Sequence, residues 1–324
     1  LADSLTNLFD DVRNGAASVA ARARSVRIAE DKIAAYAEKL PLDQVQSPEI
    51  DGDHHYLGRG DDTAAFFLTL NSINFGSGYF PHLAKRPGMS GYFTVASSLN
   101  DRFRSSGPWT SDELMALDSS LCAETFHQDL SSPPVRELME FFSSALNDLG
   151  RFVTTHHRGS FSDVVRSANG SAESLARSLI RMPFFNDVEH YGDLDVPFYK
   201  RAQIVASDLA VAFQGNGLGR FDDLDRQTIF ADNLVPHVLR IDGILEFDSE
   251  LIEQIEREAL ISIGSPEEIE IRACAVHTVE RIVTHLQSRG KAVSSRLLDH
   301  YLWNRGQDPH YKARPRHRCR CVYY

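Results

Sequence analysis

Between residues 249 and 288 apolar side chains recur every three or four positions, and this spacing constrains the chain more than any other feature. Leu251, Ile252, Ile255, Ala259, Leu260 and Ile263 form one stripe, and Ile271, Ala275, Val279, Ile282 and Val283 form the next. A period near 3.6 gathers each set on one face of a helix, and each face needs something to bury it. Ser265-Pro266-Glu267-Glu268 marks a helix start: the serine can accept an exposed backbone N–H, and the proline has no N–H to satisfy. Gly290 supplies a stop. The pattern predicts consecutive packed helices over 249–263 and 266–288.

The same reasoning extends upstream. Residues 16–40 are rich in Ala, Arg, Lys and Glu with helical apolar spacing, and 61–75 (DDTAAFFLTLNSINF) reads as a buried helix ending near Asn74, with Asn71 and Asn74 as its polar exceptions. Helical periods return over 111–148 and 172–182, broken by Ser131-Ser132-Pro133-Pro134 and by loops near Gly159 and Gly170. Tyr92-Phe93-Thr94-Val95 fits either a strand or the opening of a helix, so a small β element near 88–96 is retained as an expectation. With no repeat, low-complexity tract or linker, residues 1–324 read as a single, mainly α domain.

Charge and composition exclude several function classes. A formal net charge of -11 opposes binding of a nucleic acid polymer, which requires clustered Lys and Arg, but permits a small-molecule substrate carrying one phosphate. No run of roughly 18 apolar residues predicts a membrane span, and the first residues lack a basic-then-apolar export signal. Cys122, Cys274, Cys319 and Cys321 are too few and too irregular for a disulfide framework. A reducing, cytoplasmic setting is expected.

Four segments offer chemistry. Lys200 in PFYKRAQ sits among aromatic and apolar residues, where burial would favour its neutral form and make it an acid, base or nucleophile; a lysine whose stem snorkels to solvent is the alternative. Asp232 in TIFADNLVP precedes Pro236, a residue suited to the first position of a helix, so its carboxylate either faces a cleft or caps that helix. On a helix, LLDHYLWN divides into Leu298, Tyr301 and Leu302 on one side and Asp299, His300, Trp303 and Asn304 on the other. That second face is either solvated or a pocket in which Asp299 accepts paired N–H donors and Trp303 supplies a wall for a planar heterocycle.

Lys312, Arg314, Arg316, Arg318 and Arg320 alternate along KARPRHRCR, and an extended chain would set them on one side as a phosphate clamp or as a charged tail. The following Val322-Tyr323-Tyr324 favours docking. His310, His317, Cys319 and Cys321 have the wrong spacing for a zinc knuckle and too many cationic neighbours, and no metal or cofactor is expected. Gly215-Asn216-Gly217-Leu218-Gly219 lacks the context of a phosphate loop and reads as a turn.

Taken together, DVRNGAASVAARARSVRI, LNSINF, SGYFTVASSLN, PFYKRAQI, TIFADNLVP, EIEIRACAVHTVE, LLDHYLWN and HRCRCVYY resemble the queuosine salvage family of queuosine 5′-phosphate N-glycosylase/hydrolase proteins. The resemblance implies a helical fold similar to the helical DNA glycosylases. It also implies cleavage of the N-glycosidic bond of queuosine 5′-monophosphate or queuosine, releasing queuine for tRNA modification.

Carried over by position, Asp232 matches the family's catalytic carboxylate and Lys200 its lysine. Phe230, Asp299 and His55 fall on positions associated with base recognition. His300 stands where the family pattern has a tyrosine and Asn304 where it has an aspartate. Asn74, Trp303 and Arg320 complete the expected substrate contacts. The rival readings are a non-catalytic queuosine-binding helical module and a base-excision glycosylase acting on a polymer.

Overall fold

The computed structural model describes residues 7–324, and helices dominate it. Among the described residues there are two small antiparallel sheets: Val26–Ile28 pairs with Leu245–Phe247, and Val188–Tyr191 pairs with Leu194–Pro197. The chain forms two compact units. The first comprises residues 7–48, Asp187–Lys200 and Asp225–Arg320; the second comprises Glu49–Asn186, Arg201–Leu224 and Cys321–Tyr324.

The first unit is built around the helix Pro266–Ser288, which the sequence places almost to the residue. Ser265 Oγ accepts the Glu268 N–H (3.3 Å) and Pro266 occupies the first turn. Ile269, Ile271, Ala275, Val279 and Ile282 are fully buried. The helices Leu8–Ala20, Glu30–Glu38, Leu234–Ile241 and Ser295–Arg305 pack around it, so its apolar surface extends well beyond one stripe, as a central helix requires. Its predecessor is shorter than expected, spanning Ser249–Glu256 instead of 249–263. Glu258 adopts a left-handed conformation (φ 56), and Ile261 N–H bonds to the Arg318 carbonyl (2.8 Å), which draws the later residues out of the helix.

A single helix over 16–40 is also corrected. The run divides into helix Leu8–Ala20, strand Val26–Ile28 and helix Glu30–Glu38. The break is stabilised from a distance: Glu270 Oε2 accepts the N–H groups of Arg24 (3.0 Å), Ser25 (2.7 Å) and Val26 (3.1 Å), and Tyr191 Oη donates to its Oε1 (2.7 Å). Three backbone donors converging on one buried carboxylate outweigh the local helical preference.

The second unit is cored by phenylalanines. Phe66 meets Phe67 and Phe103 edge-on, each at 5.3 Å between centroids, and Phe75 meets Phe142 at 5.2 Å. Its helices include Asp61–Ser72, Pro133–His157 and Gly91–Ser106. The last of these replaces the β element considered near 88–96: Ser90 Oγ accepts the Phe93 N–H (3.2 Å), and the absence of a side chain at Gly91 admits the Phe80 ring against the first turn. Capping chemistry therefore overrides the β propensity of Tyr92-Phe93-Thr94-Val95. The expected turn at Gly215-Asn216 leads into a short 3₁₀ helix, Gly217–Gly219.

Candidate active site

Residues 227–239 are all buried, and Asp232 lies where this apolar run turns into the helix Leu234–Ile241. The helix begins at Leu234, so Pro236 occupies its first turn rather than its first position. Asp232 Oδ1 accepts the N–H groups of Leu234 (2.8 Å) and Val235 (3.1 Å), satisfying two of the donors that a helix start leaves over. Its second oxygen, Oδ2, takes no hydrogen bond among the described residues. The cleft and capping readings are thus compatible: one oxygen fixes the carboxylate's orientation while the other remains to be directed at a ligand.

The segment before Asp232 is held by the helix Ser295–Arg305. Asp299 Oδ1 accepts the Phe230 N–H (2.9 Å), and the Phe230 and His300 rings meet edge-on at 6.3 Å. Burial, reinforced by Arg296, pushes His300 down to about 4, so it is a neutral imidazole near pH 7. The polar face drawn from LLDHYLWN is therefore largely enclosed. Asp299 is buried and Trp303 is half-buried against the hydrophobic core, while Asn304 is exposed.

Lys200 is 5% exposed, which argues against the snorkelling alternative, and it opens the helix Lys200–Ala212. Asp187 organises the approach to it. The Asp187 carbonyl accepts the N–H groups of Phe198 (2.9 Å) and Tyr199 (3.3 Å), and its Oδ2 accepts that of Lys200 (3.2 Å). Tyr199 is held in a left-handed conformation (φ 48), a strain of roughly 1–2 kcal/mol for a side chain with a Cβ.

Asp187 is in turn gripped by Arg272 from the central helix, through Nη1 to Oδ1 (3.0 Å) and Nη2 to Oδ2 (2.6 Å). Arg272 Nε donates to the Ala231 carbonyl (3.1 Å), and the guanidinium lies 3.9 Å from the Phe198 ring centroid. Both charges are buried, and Glu268, 3.7 Å from Arg272 Nη1, adds a second buried carboxylate to the pair.

The alternating basic run does not act as one face. Lys312 and Arg314 are exposed, with Arg314 3.9 Å from Glu256, and Arg318 is bound to Glu258 at 3.0 Å. Arg316 is half-buried and sits in the field of Asp232; burial lowers its pKa and the carboxylate opposes that shift. Arg320 is half-buried. The docked reading of the tail holds, because Tyr311, His317, Cys319, Cys321 and Tyr324 are all buried.

His55 and Asn74 belong to the second unit. His55 Nδ1 is 2.8 Å from the Asp51 carbonyl and its Nε2 is 2.9 Å from Tyr92 Oη, while Asn74 Nδ2 donates to Asn71 Oδ1 (3.0 Å). Two surface depressions of about 580 and 630 Å³ in that unit contain none of the predicted site residues.

Sequence reasoning missed Asp187, Arg272 and the distinct setting of Arg316. An arginine inside the apolar run of EIEIRACAV was a usable signal, since a buried guanidinium requires built partners. Asp187 carried none.

A family model described as queuosine salvage protein matches residues 54–324, a span that contains every site residue named above. The chain belongs to the queuosine salvage family. Among the members, a protein from Sphaerobacter thermophilus named queuosine 5′-phosphate N-glycosylase/hydrolase is 34% identical over 314 residues, covering 94% of this chain and 95% of the relative. Proteins of the same name from Dictyostelium discoideum and Bos taurus are 31% and 29% identical, covering 81% and 96% of this chain and 78% and 98% of the relatives. The queuosine salvage match is thus close to full length in two of these three comparisons. Among the described residues no helix is long and apolar enough to cross a membrane.

Proposed function

We propose that the chain hydrolyses the N-glycosidic bond of queuosine 5′-monophosphate, with queuosine as the lesser substrate, and releases queuine. The observation that carries the reading is Asp232: a buried carboxylate with one oxygen pinned by two backbone donors and the other taking no hydrogen bond among the described residues, in a chain that belongs to this family.

Breaking a C1′–N bond builds positive charge on the sugar, and a fixed carboxylate beside C1′ stabilises that charge and orients or deprotonates the attacking water. Pinning Oδ1 means that no reorganisation is needed as the charge develops. The leaving base has carbon where a purine has N7, so it cannot be activated by protonation there. Its departing negative charge must be met at the pyrimidine edge or by a cation.

Lys200 supplies a cation or a contact to the ribose. The Phe230 and His300 rings form part of the base pocket, and Asp299 holds Phe230 in place. Arg316, beside Asp232, and Arg320 are the basic residues assigned to the 5′-phosphate. This small, single-phosphate substrate agrees with the net charge of -11, which disfavours a polymer.

The test is to incubate purified protein with queuosine 5′-phosphate, queuosine and a panel of ordinary purine nucleotides, following free base by chromatography. Queuine release from the first, exceeding that from the second and absent from the panel, is the expected result. No release of queuine by the wild type refutes the proposal.

A further inference from the structure

We infer that Arg272 is a positioning residue that sets Lys200 and Asp232 in a common geometry, a role that rests on the function proposed above. Lys200 and Asp232 arrive on separate segments, one preceding the helix Lys200–Ala212 and one preceding the helix Leu234–Ile241. The first of these leaves the hairpin strand Leu194–Pro197, whereas the residues before Asp232 lie outside both sheets. A single guanidinium joins them: two of its N–H groups hold the Asp187 carboxylate, whose Oδ2 also accepts the Lys200 N–H, and its Nε holds the carbonyl of Ala231, the residue before Asp232.

The planarity of the guanidinium matters to this arrangement. Five donors in a fixed fork can grip a carboxylate with both terminal nitrogens while the third nitrogen points elsewhere, and the flat face can lie on an aromatic ring. Arg272 uses all three features, its face lying on Phe198, which is itself tied to the Asp187 carbonyl. An ammonium at the same point keeps the charge but cannot hold both segments at fixed angles. The left-handed turn at Tyr199, immediately before Lys200, has a tendency to relax that this clamp opposes. Arg272 itself is fully buried and needs no contact with substrate.

Arg272→Lys and Asp187→Asn test the assignment, with folding checked by circular dichroism and thermal melting and activity read as steady-state queuine release from queuosine 5′-phosphate. Both variants are expected to lose at least about tenfold in kcat with KM within about threefold of wild type, because the lost geometry matters to the transition state more than to binding. In a Lys200→Ala background the effect of Arg272→Lys should shrink by at least about threefold, since the group it places is gone. A purely structural role would leave that effect unchanged.

Folded single variants with kcat within about twofold of wild type, or an undiminished effect in the Lys200→Ala background, overturn the inference. If Arg272→Lys does not fold, Asp187→Asn decides by the same kcat threshold. A wild-type protein that releases no queuine overturns the proposed function instead, so the two failures are separable.

Discussion

Replacing Asp232 by asparagine separates its two tasks. Asparagine retains an oxygen able to accept the Leu234 and Val235 N–H groups, and Asp and Asn are nearly equivalent as caps, so stability should change by less than about 0.5 kcal/mol. The second oxygen becomes a neutral amide, removing the charge that faces the sugar. Loss of one preorganised electrostatic contact of this kind costs about 3 kcal/mol in the transition state, a fall of at least about a hundredfold in kcat.

Asp232→Ala removes both functions, and should add a loss of about 1 kcal/mol in stability to the same catalytic defect. Chromatographic assay of queuine release, paired with urea denaturation of the same preparations, measures the two effects independently. The reasoning fails if Asp232→Asn keeps kcat within about threefold of wild type, or if it destabilises the protein as much as alanine does.

Asp299→Ala leaves the Phe230 N–H buried without its acceptor, which should cost about 1–3 kcal/mol in urea denaturation and lower kcat by loosening the segment before Asp232. Gly150 lies within the helix Pro133–His157, where alanine ordinarily stabilises by about 1 kcal/mol; here a Cβ would stand 2.6 Å from the Ser111 carbonyl oxygen, so Gly150→Ala should instead lower the melting temperature. Burial, opposed by the Tyr311 carbonyl bond and reinforced by Arg240 and Arg316, pushes His237 down to about 4. Its folded pKa lies below the unfolded value near 6.5, so the associated stability is complete above that pH and is lost as pH falls toward 4. Between pH 7 and 5 this histidine should account for about 2 kcal/mol of lost stability, and His237→Gln should flatten the urea-derived pH profile by that amount; an unchanged slope would refute the assignment.

The helices were legible where a cap and an apolar period agreed, as at Ser265 and Ile271 through Val283. They were misjudged where a remote side chain intervened. Nothing local to residues 24–26 announces that Glu270 will bind their N–H groups and break the helix expected over 16–40. At Tyr92-Phe93-Thr94-Val95 the residue types fitted either a strand or a helix start, and the deciding Ser90 cap was a single hydroxyl.

For the site, Lys200 and Asp232 stood out as charges inside apolar runs, whereas the capping role of Asp232 was open to inference only as an alternative. Asp187 was invisible because its partners, Arg272 and the 198–200 backbone, converge only in three dimensions. Burial of Asp299 likewise depends on where its helix packs, which a helical wheel does not encode.

The first unit is assembled from three separated stretches of chain, and that has a consequence for synthesis. Val26 emerges 244 residues ahead of Glu270, the side chain that receives its N–H. At about 5–20 residues per second the interval is roughly 10 to 50 s. Throughout it the apolar faces of the helices Leu8–Ala20 and Glu30–Glu38 lack the central helix that buries them. The unit bearing Asp232 therefore completes itself only late in translation, once the helix Pro266–Ser288 has been made.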